Sequence, residues 1–229
     1  MKKGRINEIF YSYQGEGPYH GDAQIFIRFS GCNIKCAYCD TDHGCGMDFT
    51  CDAVVKEVES IREGRKIHSI SITGGEPLCQ FEFLRELLPK LKKKEYKIYL
   101  ETNGILVEEL KKLSRYVDIV AMDFKLPSCT GGKAFWREHE KFLKTGLKAD
   151  DIFVKVVFSD GTILEDIEKA AEIIKRNAPD VKFILQPVTP FGGCESPSKE
   201  KINECYNVAK RSLKKVYVIP QLHKLLGIK

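Results

Sequence analysis

Short runs of apolar, β-favouring residues alternate with amphipathic helical stretches along most of this 229-residue chain, and that alternation narrows the fold more than any other feature. Residues 23–29 (AQIFIRF) read as a strand that stops at the turn pair Ser30-Gly31. Residues 69–73, 97–101, 116–122, 182–186 and 216–219 read the same way. Between them lie helical repeats: Val54, Val55, Val58 and Ile61 behind a capping Asp52, then 81–93, 106–113 and 163–177. Residues 127–133 read as a loop followed by an inserted helix. Parallel neighbours need a crossover long enough to hold a helix, so this order predicts successive βαβ units. The expectation is an α/β fold with a parallel sheet that is either open or curled into a full or partial barrel, a partial barrel of about six strands being favoured. One domain should span 1–229, with 1–22 as a lead-in and 216–229 as a C-terminal segment; no internal repeat or Pro/Ser-rich linker marks a second domain.

Composition narrows the function classes. A net charge of +5 on a chain that is 30% charged is mildly basic, which gives little support to direct nucleic-acid binding. Lysine groups such as Lys92, Lys93 and Lys94 sit on helical repeats, where a solvated face is their usual meaning. No run of about eighteen apolar residues is present to span a bilayer, so the expected setting is the cytoplasm. Nine cysteines are then unusual, because a chain of this length builds a core without disulfide staples. Cys32, Cys36 and Cys39 crowd together, Cys45 and Cys51 follow, and Cys79, Cys129, Cys194 and Cys205 are scattered.

In barrels and open α/β sheets ligands collect at the carboxyl ends of the strands. Those ends carry Cys32 onward, Thr73-Gly-Gly-Glu-Pro77, Glu101-Thr-Asn-Gly104, Asp123-Phe-Lys125, Gln186-Pro187 and Pro220-Gln-Leu-His-Lys224. Glycines at 74 and 75 let backbone approach a ligand, and Glu76 can take the charge of an ammonium group. Arg28, inside a strand of otherwise apolar residues, offers a bidentate fork to a carboxylate, with an ion pair at the core edge as the competing reading. The C-x3-C-x2-C spacing of Cys32, Cys36 and Cys39 points three thiols at one centre. A structural zinc loop would recruit Cys45 or Cys51 as a fourth ligand, whereas a [4Fe-4S] cluster on three cysteines keeps one iron open.

That spacing, with Tyr38 before the last cysteine and GGEP after the next strand, resembles the signature of the radical S-adenosylmethionine (SAM) enzymes. The resemblance covers most of 23–186 and implies a partial (β/α)6-type TIM barrel with reductive cleavage of SAM to a 5′-deoxyadenosyl radical. It implies a cluster on Cys32, Cys36 and Cys39, and a SAM pocket drawn from Tyr38, Asp40, Gly74, Gly75, Glu76, Glu101, Asn103, Asp123, Phe124, Lys125 and Gln186. The outer motifs, Asn7 to Gly17 (NEIFYSYQGEG), Ile25 to Cys32, Cys39-Asp-Thr41 and Gln221 to Lys224, are similar to those of the 7-carboxy-7-deazaguanine synthases. Departures from that family's pattern include Asp123-Phe124-Lys125 in place of Ser-Pro-Lys, Asn103 in place of Ser and Leu222 in place of Thr.

Members of that family convert 6-carboxy-5,6,7,8-tetrahydropterin to 7-carboxy-7-deazaguanine with loss of ammonia, on the route to the tRNA nucleosides queuosine and archaeosine. By resemblance, Tyr13, Gln14, Gly15, Glu16, Arg28, Thr73, Gln221 and His223 are substrate residues, and Thr41 is a ligand of Mg2+, which favours oxygen donors. An external electron donor such as flavodoxin or ferredoxin and a homodimer are implied too. Two rivals stand beside this reading. One is another small radical SAM enzyme, such as an activase of a glycyl-radical partner; the other is a zinc-stabilised binding module.

Overall fold

The computed structural model describes residues 2–40 and 46–229, so Thr41 and Cys45 lie outside the described residues. In chain order the elements are β1 (Lys3–Tyr13), β2 (Ala23–Phe29), β3 (Met47–Thr50), α1 (Cys51–Arg62), β4 (Ser69–Gly74), α2 (Phe81–Lys93), β5 (Ile98–Thr102), α3 (Val107–Leu113) and β6 (Ile119–Asp123). They continue with α4 (Pro127–Thr130), α5 (Trp136–Gly146), β7 (Asp151–Phe158), α6 (Leu164–Asn177), β8 (Lys182–Pro187), α7 (Lys199–Ser212), β9 (Val216–Val218) and α8 (Leu222–Leu226).

One sheet holds all of these strands in the order β3-β1-β2-β4-β5-β6-β7-β8-β9. From β2 to β9 every pairing is parallel, while β1 runs antiparallel to both β2 and β3. The parallel part is therefore the expected partial barrel, with two differences. Seven parallel strands are present rather than six, because β7 occupies a stretch in which the sequence reading placed none. Half of the lead-in 1–22 is the eleven-residue β1, whose ladder with β2 shifts register between Ile6 and Glu8. The cap of α1 also differs: Thr50 Oγ1 accepts from Ala53 N, and Asp52 sits inside the first turn.

Period-two alternation sorts each strand into an outer and an inner face. Ile25, Ile27 and Phe29 of β2, Ile70 and Ile72 of β4, Val154 and Val156 of β7, and Phe183 and Leu185 of β8 belong to the large core shared with the helices. Those helices present matching stripes, such as Phe83, Leu84, Leu87, Leu88 and Leu91 of α2. Each such buried side chain contributes about 1.5–3 kcal/mol. The alternate positions form a second, smaller cluster of Tyr99, Ile119, Ala121, Phe153 and Ile184, against which Tyr19 packs. Tyr19, Tyr99 and Phe153 meet with ring centroids 5.7–6.3 Å apart and plug the barrel on one side of its cavity.

Farther along the same inner face the residues become polar: Arg28, Thr73, Glu101, Asp123, Lys155 and Gln186. The segment after β9 folds back across this face. Leu222 N donates to the Gly15 carbonyl at 2.9 Å, and Gln221 Nε2 to Glu16 at 2.8 Å. A Cβ on Gly15 would run into the His223 ring, so glycine is needed where the two segments cross. No helix among the described residues is long and apolar enough to cross a membrane.

Candidate active site

The inner polar face lines a cavity of about 720 Å³. Its walls include Cys32, Cys36, Cys39, Tyr38 and Asp40 from the loop after β2. Strand ends contribute Thr73, Gly74 and Gly75, then Glu101 and Asn103, Asp123 and Lys125, and Gln186. Tyr13, Gln14, Gly15, Glu16 and Arg28 approach from β1 and β2, and Gln221 and His223 from the C-terminal segment. Residues separated by almost the whole chain therefore share one space because all of these ends open on the same side of the barrel.

Two residues expected on the wall are elsewhere. Phe124 is fully buried and stacks on His139 of α5, with centroids 4.6 Å apart, because the alternation of β6 turns it toward the helices. Glu76 is also fully buried and does not line the cavity. Its carboxylate accepts from Leu78 N at 3.0 Å, Asn103 N at 2.7 Å and Thr102 Oγ1 at 3.0 Å. Those bonds make Glu76 a buckle between the loop after β4 and the end of β5.

Burial pushes the Glu76 carboxyl up to about 7, against the pull of these donors. Between the ordinary carboxylate range and pH 7 the folded chain thus retains a proton that the unfolded chain has lost. Stability should fall as pH rises through that window and level off above it. Glu76→Gln, neutral throughout, is expected to lack this slope while losing about 1–3 kcal/mol at the bond to Asn103 N. Melting temperatures of both proteins at pH 5 and pH 8 check this; parallel slopes would sink it.

The cysteine loop is held by its backbone. Ala37 N donates to the Thr130 carbonyl at 2.9 Å, Cys39 N to the Cys36 carbonyl at 3.1 Å, and Glu76 N to the Gly31 carbonyl at 2.9 Å. Asn103 Nδ2 reaches Asn33 Oδ1 at 2.7 Å and stands 3.9 Å from Cys32 Sγ. Burial pushes the Cys36 thiol up to about 11. Lys125 Nζ donates to Asp123 Oδ2 at 2.7 Å and to the Tyr38 hydroxyl at 3.2 Å.

Around Gln14 the polar groups form a second network. Gln14 Nε2 donates to Glu101 at 2.9 Å and to Gln24 Oε1 at 3.1 Å. Glu101 also accepts from Ser71 at 3.2 Å and Thr73 at 2.8 Å. Arg28 Nε donates to Glu8 at 2.7 Å, and its guanidinium lies over the Phe10 ring at 5.5 Å. Both the ion pair and the cavity position foreseen for Arg28 are thus present.

Sequence reasoning missed Lys155, Gln24, Ser71 and His139. Lys155 carried the same signal as Arg28, a lone cation inside an apolar strand. Gln24 and Ser71 are polar positions on strands whose alternation turns them inward. His139 gave no signal: it is fully buried on α5, with Nε2 3.1 Å from the Asn103 carbonyl, and burial lowers its pKa to about 4.

Comparison with known proteins agrees with this geometry. A family model described as the Radical SAM superfamily matches residues 26–175, so the chain is a member of that superfamily. A 7-carboxy-7-deazaguanine synthase of Geobacter sulfurreducens is 38% identical, covering 97% of this chain and 96% of the relative. One from Archaeoglobus fulgidus is 35% identical over 99% of this chain and 100% of the relative. The chain belongs to the 7-carboxy-7-deazaguanine synthase family. The solved structure of QueE from Escherichia coli shares the fold, with a TM-score of 0.65, 22% identity and 96% and 95% of the two chains covered.

The superfamily uses a [4Fe-4S] cluster and SAM, and the residues present fit both. Cys32, Cys36 and Cys39 all face the cavity. A [4Fe-4S] cluster takes each of three thiols on a different iron and leaves the fourth iron open. Asn103 Oδ1, Asp123 Oδ1 and Gln186 Oε1 are buried acceptors with no partner among the described residues, all on residues of the cavity wall. Unpaired buried acceptors are costly, and the ammonium and ribose hydroxyls of SAM supply matching donors.

Proposed function

We propose that this chain converts 6-carboxy-5,6,7,8-tetrahydropterin to 7-carboxy-7-deazaguanine with release of ammonia. Near-full-length likeness to synthases of this name carries the reading. The polar wall supports it. When bound, the cluster supplies the electron that cleaves SAM and so starts the radical chemistry. Cys32, Cys36 and Cys39 would hold it, with Tyr38, Asp40, Gly74, Gly75, Asn103, Asp123, Lys125 and Gln186 around SAM.

The remaining residues receive the pterin. Gln14 presents an amide whose direction is set from below, because Gln24 Nε2 donates to Ser69 at 2.9 Å and turns its own oxygen toward Gln14. Glu101 is assigned to the substrate rather than to the ribose, since its donors Gln14 and Thr73 are substrate residues. Both N–H groups of the Gln14 amide are given to Glu101 and Gln24, so the Glu101 carboxylate and the remaining lone pair of Gln14 Oε1 are left as acceptors for the amino and ring N–H groups of an aminopyrimidinone edge. Arg28 offers charge to the substrate carboxylate, and Thr41 an oxygen to Mg2+. Tyr13, Gly15, Glu16, Gln221 and His223 complete this side. A cytoplasmic homodimer served by flavodoxin or ferredoxin is part of the same proposal.

The test is an anaerobic assay of the iron-reconstituted protein with SAM, a strong reductant, Mg2+ and the carboxylated pterin, followed by mass spectrometry. Arg28→Ala should form product with KM for the pterin raised about tenfold or more, equivalent to at least ~1.4 kcal/mol, and with unchanged iron content. Cleavage of SAM by the wild type without deazapurine would retain the superfamily and refute the substrate.

A further inference from the structure

The cavity contains a chain of alternating charges that crosses it from the residues assigned to SAM to those assigned to the pterin. Lys125 pairs with Asp123 at 2.7 Å, and Lys155 lies 3.7 Å from the same Asp123 oxygen. Lys155 also forms an ion pair with Glu16, and Glu16 accepts from Gln221 Nε2 at 2.8 Å. The four charged side chains come from three places in the sequence, and each is only 13–19% exposed. Lys155 projects inward from β7 between Phe153 and Val157, which also line the cavity, so little else on its own strand solvates it.

We propose that Lys155 is a positioning residue that couples the SAM side of the cavity to the pterin side. The inference rests on the functional reading above for which ligand occupies each side. Lys155 is the described cation that pairs with both Glu16 and Asp123. Removing it takes from Glu16, a nearly buried carboxylate, its ion-pair partner and leaves it the Gln221 amide and the weaker influence of the His223 ring, a broken buried pair that is costly. Asp123 keeps Lys125. Loss of Lys155 should therefore disorder the pterin side first while leaving a charged anchor on the SAM side. Coupling between ligands is reciprocal, so whatever pterin does to SAM affinity through this chain, SAM does to pterin affinity.

The geometry of Glu16 and Lys155 is tested without any ligand. In a double-mutant cycle, Lys155→Met should lower the melting temperature by on the order of 10 °C, and adding Glu16→Gln should recover part of that loss. Additive effects would overturn the proposal. With the cluster loaded, Lys155→Met should bind SAM within about threefold of wild type. It should bind pterin at least tenfold more weakly, and no longer change SAM affinity when pterin is added. It should also release more 5′-deoxyadenosine per product, with Lys155→Arg restoring the wild-type ratio in part. A variant that is less stable yet keeps the wild-type ratio and ligand coupling would make Lys155 structural only and refute the inference. If wild type binds SAM but no pterin, the functional reading fails instead, and the stability cycle still judges the ion pair on its own.

Discussion

Cys36→Ala is expected to form no detectable product and to retain well under half of the wild-type iron after reconstitution, with almost no change in the fold. The three thiols of the C-x3-C-x2-C loop face the cavity together, and each removed thiol leaves one iron of a [4Fe-4S] cluster without its protein ligand. Little packing is lost. Cys36 lies outside the buried core, and its loop is held by backbone bonds from Ala37 and Cys39 that alanine preserves. The stability of the cluster-free chain should therefore move by less than ~1 kcal/mol. Burial keeps the Cys36 thiol protonated near neutral pH, so cluster assembly must release protons and should be favoured as pH rises. Iron and sulfide content, visible absorption and melting of the cluster-free chain separate these effects. Full iron content in Cys36→Ala would remove this cysteine from the ligand set.

Gly74→Ala is expected to lose about 3–5 kcal/mol and to yield little folded protein. Gly74 adopts φ +123°, a region that side chains rarely enter, at the point where the end of β4 meets the end of β2. A Cβ there would collide with the backbone carbonyl and amide of Phe29. That backbone cannot step aside, because the Phe29 carbonyl already accepts from Gly75 N at 3.0 Å and the Phe29 side chain is fully buried. The disturbance passes to the cysteine loop through Glu76 N and the Gly31 carbonyl. Soluble yield, melting temperature and iron uptake read the outcome. A variant that melts within 2–3 °C of wild type, roughly 1 kcal/mol for a chain of this size, would show that the close approach is not required.

Glycine at 74 was legible as a place where backbone nears a ligand; the structure adds that it first nears another strand. Glu76 shows the same division more sharply. Its motif was legible, yet its carboxylate is used up by Leu78, Thr102 and Asn103, and no local pattern announces partners 26 and 27 residues away. Strand β7 escaped because Ile152 to Phe158 is nearly continuous in apolar residues, and periodicity alone does not distinguish such a run from a buried helical segment. Lys155 went unread with it, although a lone cation in an apolar strand is the signal that singled out Arg28.

The sequence by itself determined what depends on short-range spacing: three thiols within one loop, strands and helices in alternation, and polar residues at strand ends. These follow from local geometry, since neighbours in sequence are bound to be neighbours in space. Only the tertiary structure decided which inward side chains meet. Strand register brings Lys155 beside Asp123, the return of the segment after β9 brings Gln221 and His223 to Gly15 and Glu16, and alternation turns Phe124 away from the cavity. Such contacts depend on how seven parallel strands pair and curve together, a property of the whole sheet that no single segment encodes.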